Sequence, residues 1–139
     1  MMFPPALVSW WYQDGTMNLF LICAVIVFLL GIVIFLPVRK VRQELRLRDG
    51  FLIVTASWLS LALVGALPFI LLPQPEISYV DAVFESMSGL TTTGATILTN
   101  IEELPRGILY YRQQLQWLGG LGIVVLAVAI MPMLRVGGM

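Results

Sequence analysis

Residues 17–36 contain no charged side chain, and this run constrains the chain more than any other feature. About 20 apolar residues in a helix match the thickness of a bilayer's hydrocarbon core. Residues 51–72 and 117–134 are equally free of charge. Inside hydrocarbon every backbone polar group must be satisfied within the protein. Charge-free runs of this length read as spanning helices, so an all-α membrane protein is expected, its transmembrane helices joined by one re-entrant pore helix and an extended filter loop. The bulk composition agrees: 59% of residues are hydrophobic and 12% charged, with a mean hydropathy of +0.92, well beyond a soluble domain.

Between the second and third runs lies a segment too short to span, Asp81 to Leu98 and its approach. Ser78 with Asp81 three residues later is a helix start signal. Gly89 stands where that helix is expected to stop. Thr91, Thr92 and Thr93 are β-branched and continue a helix poorly, while Gly94 frees the backbone for conformations other residues avoid. A re-entrant short helix followed by extended backbone at membrane depth is tolerated only where protein buries it or where it lines a watery cavity. That is also how carbonyl oxygens are arranged into an ion filter. The alternative is a loop outside the bilayer, in which threonine and glycine merely suit a turn.

The run Phe84-Glu85-Ser86-Met87-Ser88-Gly89-Leu90-Thr91-Thr92-Thr93-Gly94-Ala95-Thr96 resembles the first pore loop of the Trk/Ktr/HKT superfamily of potassium uptake proteins, in its bacterial TrkH/TrkG class. Arg48-Asp49-Gly50-Phe51-Leu52-Ile53-Val54, Gly65-Ala66-Leu67-Pro68-Phe69 and Tyr111-Arg112-Gln113-Gln114-Leu115-Gln116-Trp117-Leu118-Gly119-Gly120-Leu121-Gly122 resemble that class too, as does Ala127-Val128-Ala129-Ile130-Met131-Pro132. The resemblance implies helix–pore–helix repeats, four to a chain, of which this chain has room for one. Residues 1–49 would hold the end of a truncated first helix, a second transmembrane helix and a cytoplasmic basic loop. Residues 50–134 would form the first repeat, and 135–139 the link to the next.

On the same resemblance, a dehydrated potassium ion is held by main-chain carbonyls of Thr92, Thr93 and Gly94, with Thr91 and Ala95 adjoining. Asp81, Glu85, Ser88 and Gly89 support the pore helix. Potassium is the transported ion, passively or coupled to sodium or protons, and no organic cofactor is implied. The implied partners are membrane lipid, the remaining pore repeats from the same chain or other subunits, a second copy in a homodimer and a cytosolic nucleotide-binding regulatory subunit. Nucleic acid is not among them. The expected location is the cytoplasmic (inner) membrane, with several crossings.

Taken in order, residues 1–12 are apolar and aromatic but too few to cross the core. Trp10, Trp11 and Tyr12 read as an interfacial aromatic belt. Compared with the family, this stretch is similar to the last third of a first transmembrane helix, so a fragment or a late start is expected. Arg39, Lys40, Arg42, Arg46 and Arg48, with Glu44 and Asp49 interspersed, follow the first full span. The positive-inside rule makes that short loop cytoplasmic; the weaker alternative is a patch for anionic lipid or nucleic acid. Pro68 is expected to kink the second span, and Pro73 and Pro75 to end it. Residues 100–106 read as an exposed outer loop, and Tyr110 and Tyr111 as interfacial aromatics. The third span is expected at 117–134.

Glu85 falls inside the apolar zone, where a lone carboxylate is costly. Arg112 is its expected partner, with cation contact near the filter as the alternative. Asp81 suits the positive end of its helix. Gly119, Gly120 and Gly122 smooth one side of the last helix for close packing against the pore loop. An enzyme is not expected: the chain has no histidine, no metal-ligand spacing and no serine paired with a base. Cys23 is a lone thiol in an apolar run. The competing functional reading is a non-conducting membrane scaffold, or an inactive fragment, whose threonine–glycine loop is only a turn.

Overall fold

The computed structural model describes residues 1–39 and 47–136. Lys40, Arg42, Glu44 and Arg46 of the basic cluster and the tail at 137–139 lie outside the described residues. Among the described residues six α-helices follow in order: α1 (Phe3–Tyr12), α2 (Met17–Val38), α3 (Leu47–Gly65), α4 (Leu67–Ile70), α5 (Tyr79–Leu90) and α6 (Arg106–Val136), with a short 3-10 turn at Ile101–Glu103. The described residues contain no strand.

α1 opens with Pro4 and Pro5 in its first turn, where a missing N–H costs nothing. It ends at Gln13, whose φ of 51° is left-handed, and Gly15 at φ 80° completes the reversal into α2. Trp10, Trp11 and Tyr12 are all exposed at this end. In α2 Phe20 and Cys23 are buried, whereas most apolar residues from Val25 to Leu36 are exposed. Such a surface is unfavourable in water and ordinary against lipid. Among the described residues two stretches are long and apolar enough to cross a membrane, Met17–Pro37 and Asp49–Ile70.

The second span is expected as one kinked helix over 51–72. Instead α3 stops at Gly65 and α4 restarts at Leu67. Pro68 carries no N–H, and its ring meets the carbonyl of residue 64 in a regular helix. The chain tightens around it, with Phe69 N–H donating to Ala66 O at 3.0 Å. α6 contains the stretch 117–134 expected as the third span, but begins earlier, at Arg106, and runs 31 residues, about 46 Å at 1.5 Å per residue.

The core lies where α1, α2, α4 and α5 meet α6. Tyr111 is fully buried there, with ring centroids 5.6 Å from Phe20 and 5.5 Å from Phe69. Its hydroxyl donates to Gly65 O at 2.9 Å, taking up a carbonyl at the end of α3. The two tyrosines therefore do not share an interface: Tyr110 is exposed and Tyr111 is core. Neighbouring helical residues point about 100° apart, so they rarely occupy one environment.

Candidate functional site

α5 begins as its sequence suggests. Ser78 is extended, and its Oγ accepts the Asp81 N–H at 3.2 Å. Asp81 thus stands in the first turn, at the positive end of the helix. The helix continues one residue past Gly89 to Leu90. It then closes in a Schellman turn: Thr92 N–H donates to Gly89 O at 2.9 Å and Thr93 N–H to Ser88 O at 3.0 Å. The left-handed position of that motif usually holds glycine, yet here it is Thr92, at φ 58°. A β-branched residue there is an outlier costing on the order of 1–3 kcal/mol. Gly94 repeats the left-handed conformation at φ 73°, and its N–H also turns back to Ser88 O, at 3.3 Å.

The N–H groups of Thr92, Thr93 and Gly94 are thus all committed to the end of α5. Among the described residues, the carbonyls of the same three residues accept no hydrogen bond. Thr91 and Thr93 hydroxyls lie 2.9 Å apart, and Thr91 Oγ1 donates to Met87 O at 2.9 Å. Ser88 Oγ donates to Ala95 O at 2.6 Å, tying the far side of the loop to the same helix end.

Glu85 fixes the outgoing limb. Its carboxylate accepts Thr96 Oγ1 at 2.9 and 3.1 Å, Ile97 N–H at 3.2 Å and Arg112 Nε at 2.8 Å. The Glu85 side chain is 1% exposed and that of Arg112 15%. The structure therefore brings Glu85 and Arg112 together and adds two loop donors that their spacing does not reveal. Such a pair is costly to break from one side, because the remaining charge stays desolvated. Among the described residues no group of three His, Cys, Asp or Glu is placed to hold a metal ion. A cation at this loop would meet main-chain and hydroxyl oxygens, which suit hard ions.

The glycines differ in what they permit. A Cβ on Gly119 would land on the Leu90 carbonyl oxygen, with the Leu90 carbonyl carbon at 2.6 Å, so α6 touches the backbone end of α5. A Cβ on Gly89 would stand 2.9 Å from Leu115 Cβ, and one on Gly122 3.1 Å from the Trp58 ring. At Gly120 the nearest atom is Thr92 Cγ2 at 3.8 Å, an ordinary contact. Behind the loop, a cavity of about 10 Å³ is lined by Glu85, Ser88, Gly89, Gly94, Ala95, Arg112 and Gln116.

Asp14 has a part that spacing does not suggest. Its Oδ2 accepts the Gly107 N–H at 2.7 Å, at the start of α6 and 93 residues away. Its Oδ1 accepts from the Ser9 hydroxyl, from Thr16 N–H at 3.0 Å and from Thr16 Oγ1 at 2.8 Å. Burial opposes ionisation, but the hydrogen bonds from Ser9, Gly107 and Thr16 outweigh it and hold the carboxyl below its usual value. The local signal is an aspartate two residues before a threonine in a turn. The distant N–H leaves no trace in sequence.

The sequence model of the family described as TrkH, cation transport protein, matches residues 16–139. The chain is 56% identical over 138 residues to the Trk system potassium uptake protein TrkH of Halomonas elongata, covering 99% of this chain and 29% of that protein. The TrkH of Escherichia coli K12 is 52% identical over 135 residues, covering 97% and 28%. The Trk system potassium uptake protein TrkG of the same organism is 41% identical over 137 residues, covering 99% and 28%. The chain thus spans less than a third of the length of these curated relatives.

Proposed function

Because the chain belongs to the TrkH family of cation transport proteins, we propose that it supplies one pore loop of a potassium uptake protein in the cytoplasmic membrane. In this reading α5 is the pore helix and the loop from Thr91 to Ala95 is one strand of the selectivity filter. The carbonyls of Thr92, Thr93 and Gly94 replace part of the hydration shell of a potassium ion. One loop covers one side of the ion. The other three come from further repeats or subunits, as the length of the relatives leaves room for.

The division of labour within the loop carries this reading: the N–H groups of residues 92 to 94 bind back to α5, while their carbonyls accept no hydrogen bond among the described residues. A plain turn gains nothing from placing threonine at the left-handed position. A filter does, because the conformation of Thr92 and Gly94 sets where consecutive carbonyls point. The C-terminus of α5 adds its partial negative charge near Ser88, and Glu85 holds the outgoing strand with Arg112 as counter-ion. Glu85 accordingly positions the filter and does not touch the ion. The protein works as a multi-pass inner-membrane transporter, as a homodimer surrounded by lipid and with a cytosolic nucleotide-binding regulatory subunit. Its cargo is potassium; no organic cofactor and no nucleic acid take part.

The test uses the complete uptake protein in a host lacking its own potassium uptake systems. Gly94→Ser forces a side chain onto φ 73° and against Gln116 Nε2, 3.2 Å from the Cβ position. Potassium-limited growth should fall and sodium should compete better for rubidium uptake, at unchanged protein abundance. A well-expressed Gly94→Ser protein with unaltered potassium-over-sodium preference would favour the scaffold reading instead.

A further inference from the structure

Arg112 and Gln116 are four residues apart on α6, hence on one face and one turn from each other. Arg112 is occupied by Glu85. The Gln116 side chain makes no hydrogen bond among the described residues, although it lines the small cavity behind the loop with Gly94, Ala95 and Ser88. Its Nε2 lies 3.2 Å from where a Cβ of Gly94 would stand. Gly94 is the second of two left-handed residues flanking Thr93. Rotation of the Thr93–Gly94 peptide therefore redirects the Thr93 carbonyl, and the space into which Gly94 could retreat is the space that Gln116 closes.

We propose that Gln116 is a positioning residue for ion selectivity, its side chain bracing Gly94 from behind by its bulk so that the carbonyls of Thr93 and Gly94 cannot relax toward α6. This rests on the filter reading above. The side chain suits the place because its end already stands against Gly94 with no hydrogen bond drawing it elsewhere among the described residues. Without it the cage is softer. A soft cage adjusts to a smaller ion as readily as to potassium, and discrimination by cavity size or by oxygen field falls together.

The experiment measures rubidium uptake and its inhibition by sodium in the complete protein, with membrane abundance recorded for each variant. Gln116→Ala should lower the potassium-over-sodium preference roughly three- to tenfold, the size expected for the lost packing of one truncated side chain, raising KM for rubidium with little change in maximal rate. Gln116→Asn keeps the amide but shortens its reach and should fall between. Gln116→Leu restores bulk without the amide and should recover most of the preference. A preference as low in Gln116→Leu as in Gln116→Ala would remove bulk as the cause and overturn the assignment. So would a loss of abundance without a selectivity change across all three variants. Gly94→Ser measured in parallel separates the two proposals. A shifted preference there beside unchanged Gln116 variants sinks the role of Gln116 alone, whereas no shift in either sinks the filter reading with it.

Discussion

Replacing Glu85 with glutamine tests the clamp that holds the loop's outgoing limb. The carboxylate has four close contacts, from Thr96 Oγ1 to both oxygens, from Ile97 N–H and from Arg112 Nε, at 2.8–3.2 Å. Glutamine keeps the shape and one acceptor oxygen, which can still face Arg112. Its NH2 group then points at the Ile97 N–H, setting donor against donor. An orphaned buried donor costs about 1–3 kcal/mol, and removing one partner of a buried ion pair costs about 3–5 kcal/mol. These overlap, and Arg112 keeps 15% of its side chain exposed, so we expect about 3 kcal/mol. Arg112→Gln should cost a similar amount, because Glu85 is the more deeply buried partner. The assay is thermal unfolding of the purified complete protein for Glu85→Gln, Arg112→Gln, the double variant and the charge-swapped Glu85→Arg/Arg112→Glu. The double variant should lose well under the sum of the singles, and the swap should recover part of the loss. Strictly additive losses would refute the reasoning, since they would mean that the two side chains do not share one interaction.

Other consequences follow from the same geometry. Gly119→Ala drives a methyl into the Leu90 carbonyl and should lower yield and stability by about 1–3 kcal/mol, whereas Gly120→Ala, with its nearest contact at 3.8 Å, should be nearly silent; purified yield and melting temperature compare them. Asp14 is held below its usual value, so the stability it adds is complete at pH values above the ordinary aspartate range, about 4, and is lost as pH falls through the lowered value. Asp14→Asn should therefore be less stable than the parent at neutral pH by about 1 kcal/mol, with the gap closing in acid. A reporter fused after Arg42 should read cytoplasmic and one after Glu102 external; the reverse pattern would overturn the orientation.

The parts legible in sequence are those whose causes are local. Charge-free runs announce α2 and α3, because hydrocarbon admits little else. Ser78 and Asp81 announce the start of α5, and Gly94 its unusual backbone. Glu85 and Arg112 could be matched because a carboxylate at that depth needs a cation and Arg112 is near in sequence. Contacts without such scarcity stayed hidden. Nothing local marks Tyr111 as the residue that takes the Gly65 carbonyl, or Asp14 as the cap of Gly107. The break after Gly65 exceeded the expected kink because Pro68 acts on the preceding turn as well as its own. Thr92 in the glycine position of the turn was illegible, since three threonines give no hint of which one is left-handed. Gly119 and Gly120 look alike in sequence, and only the approach of Leu90 distinguishes them.

The most direct measurement of the central claim is anomalous diffraction from crystals of the complete protein grown in rubidium. A rubidium peak coordinated by the carbonyl oxygens of Thr92, Thr93 and Gly94 is expected, diminished when sodium replaces rubidium. A peak bound by the Glu85 carboxylate, with the three carbonyls unoccupied, would contradict it.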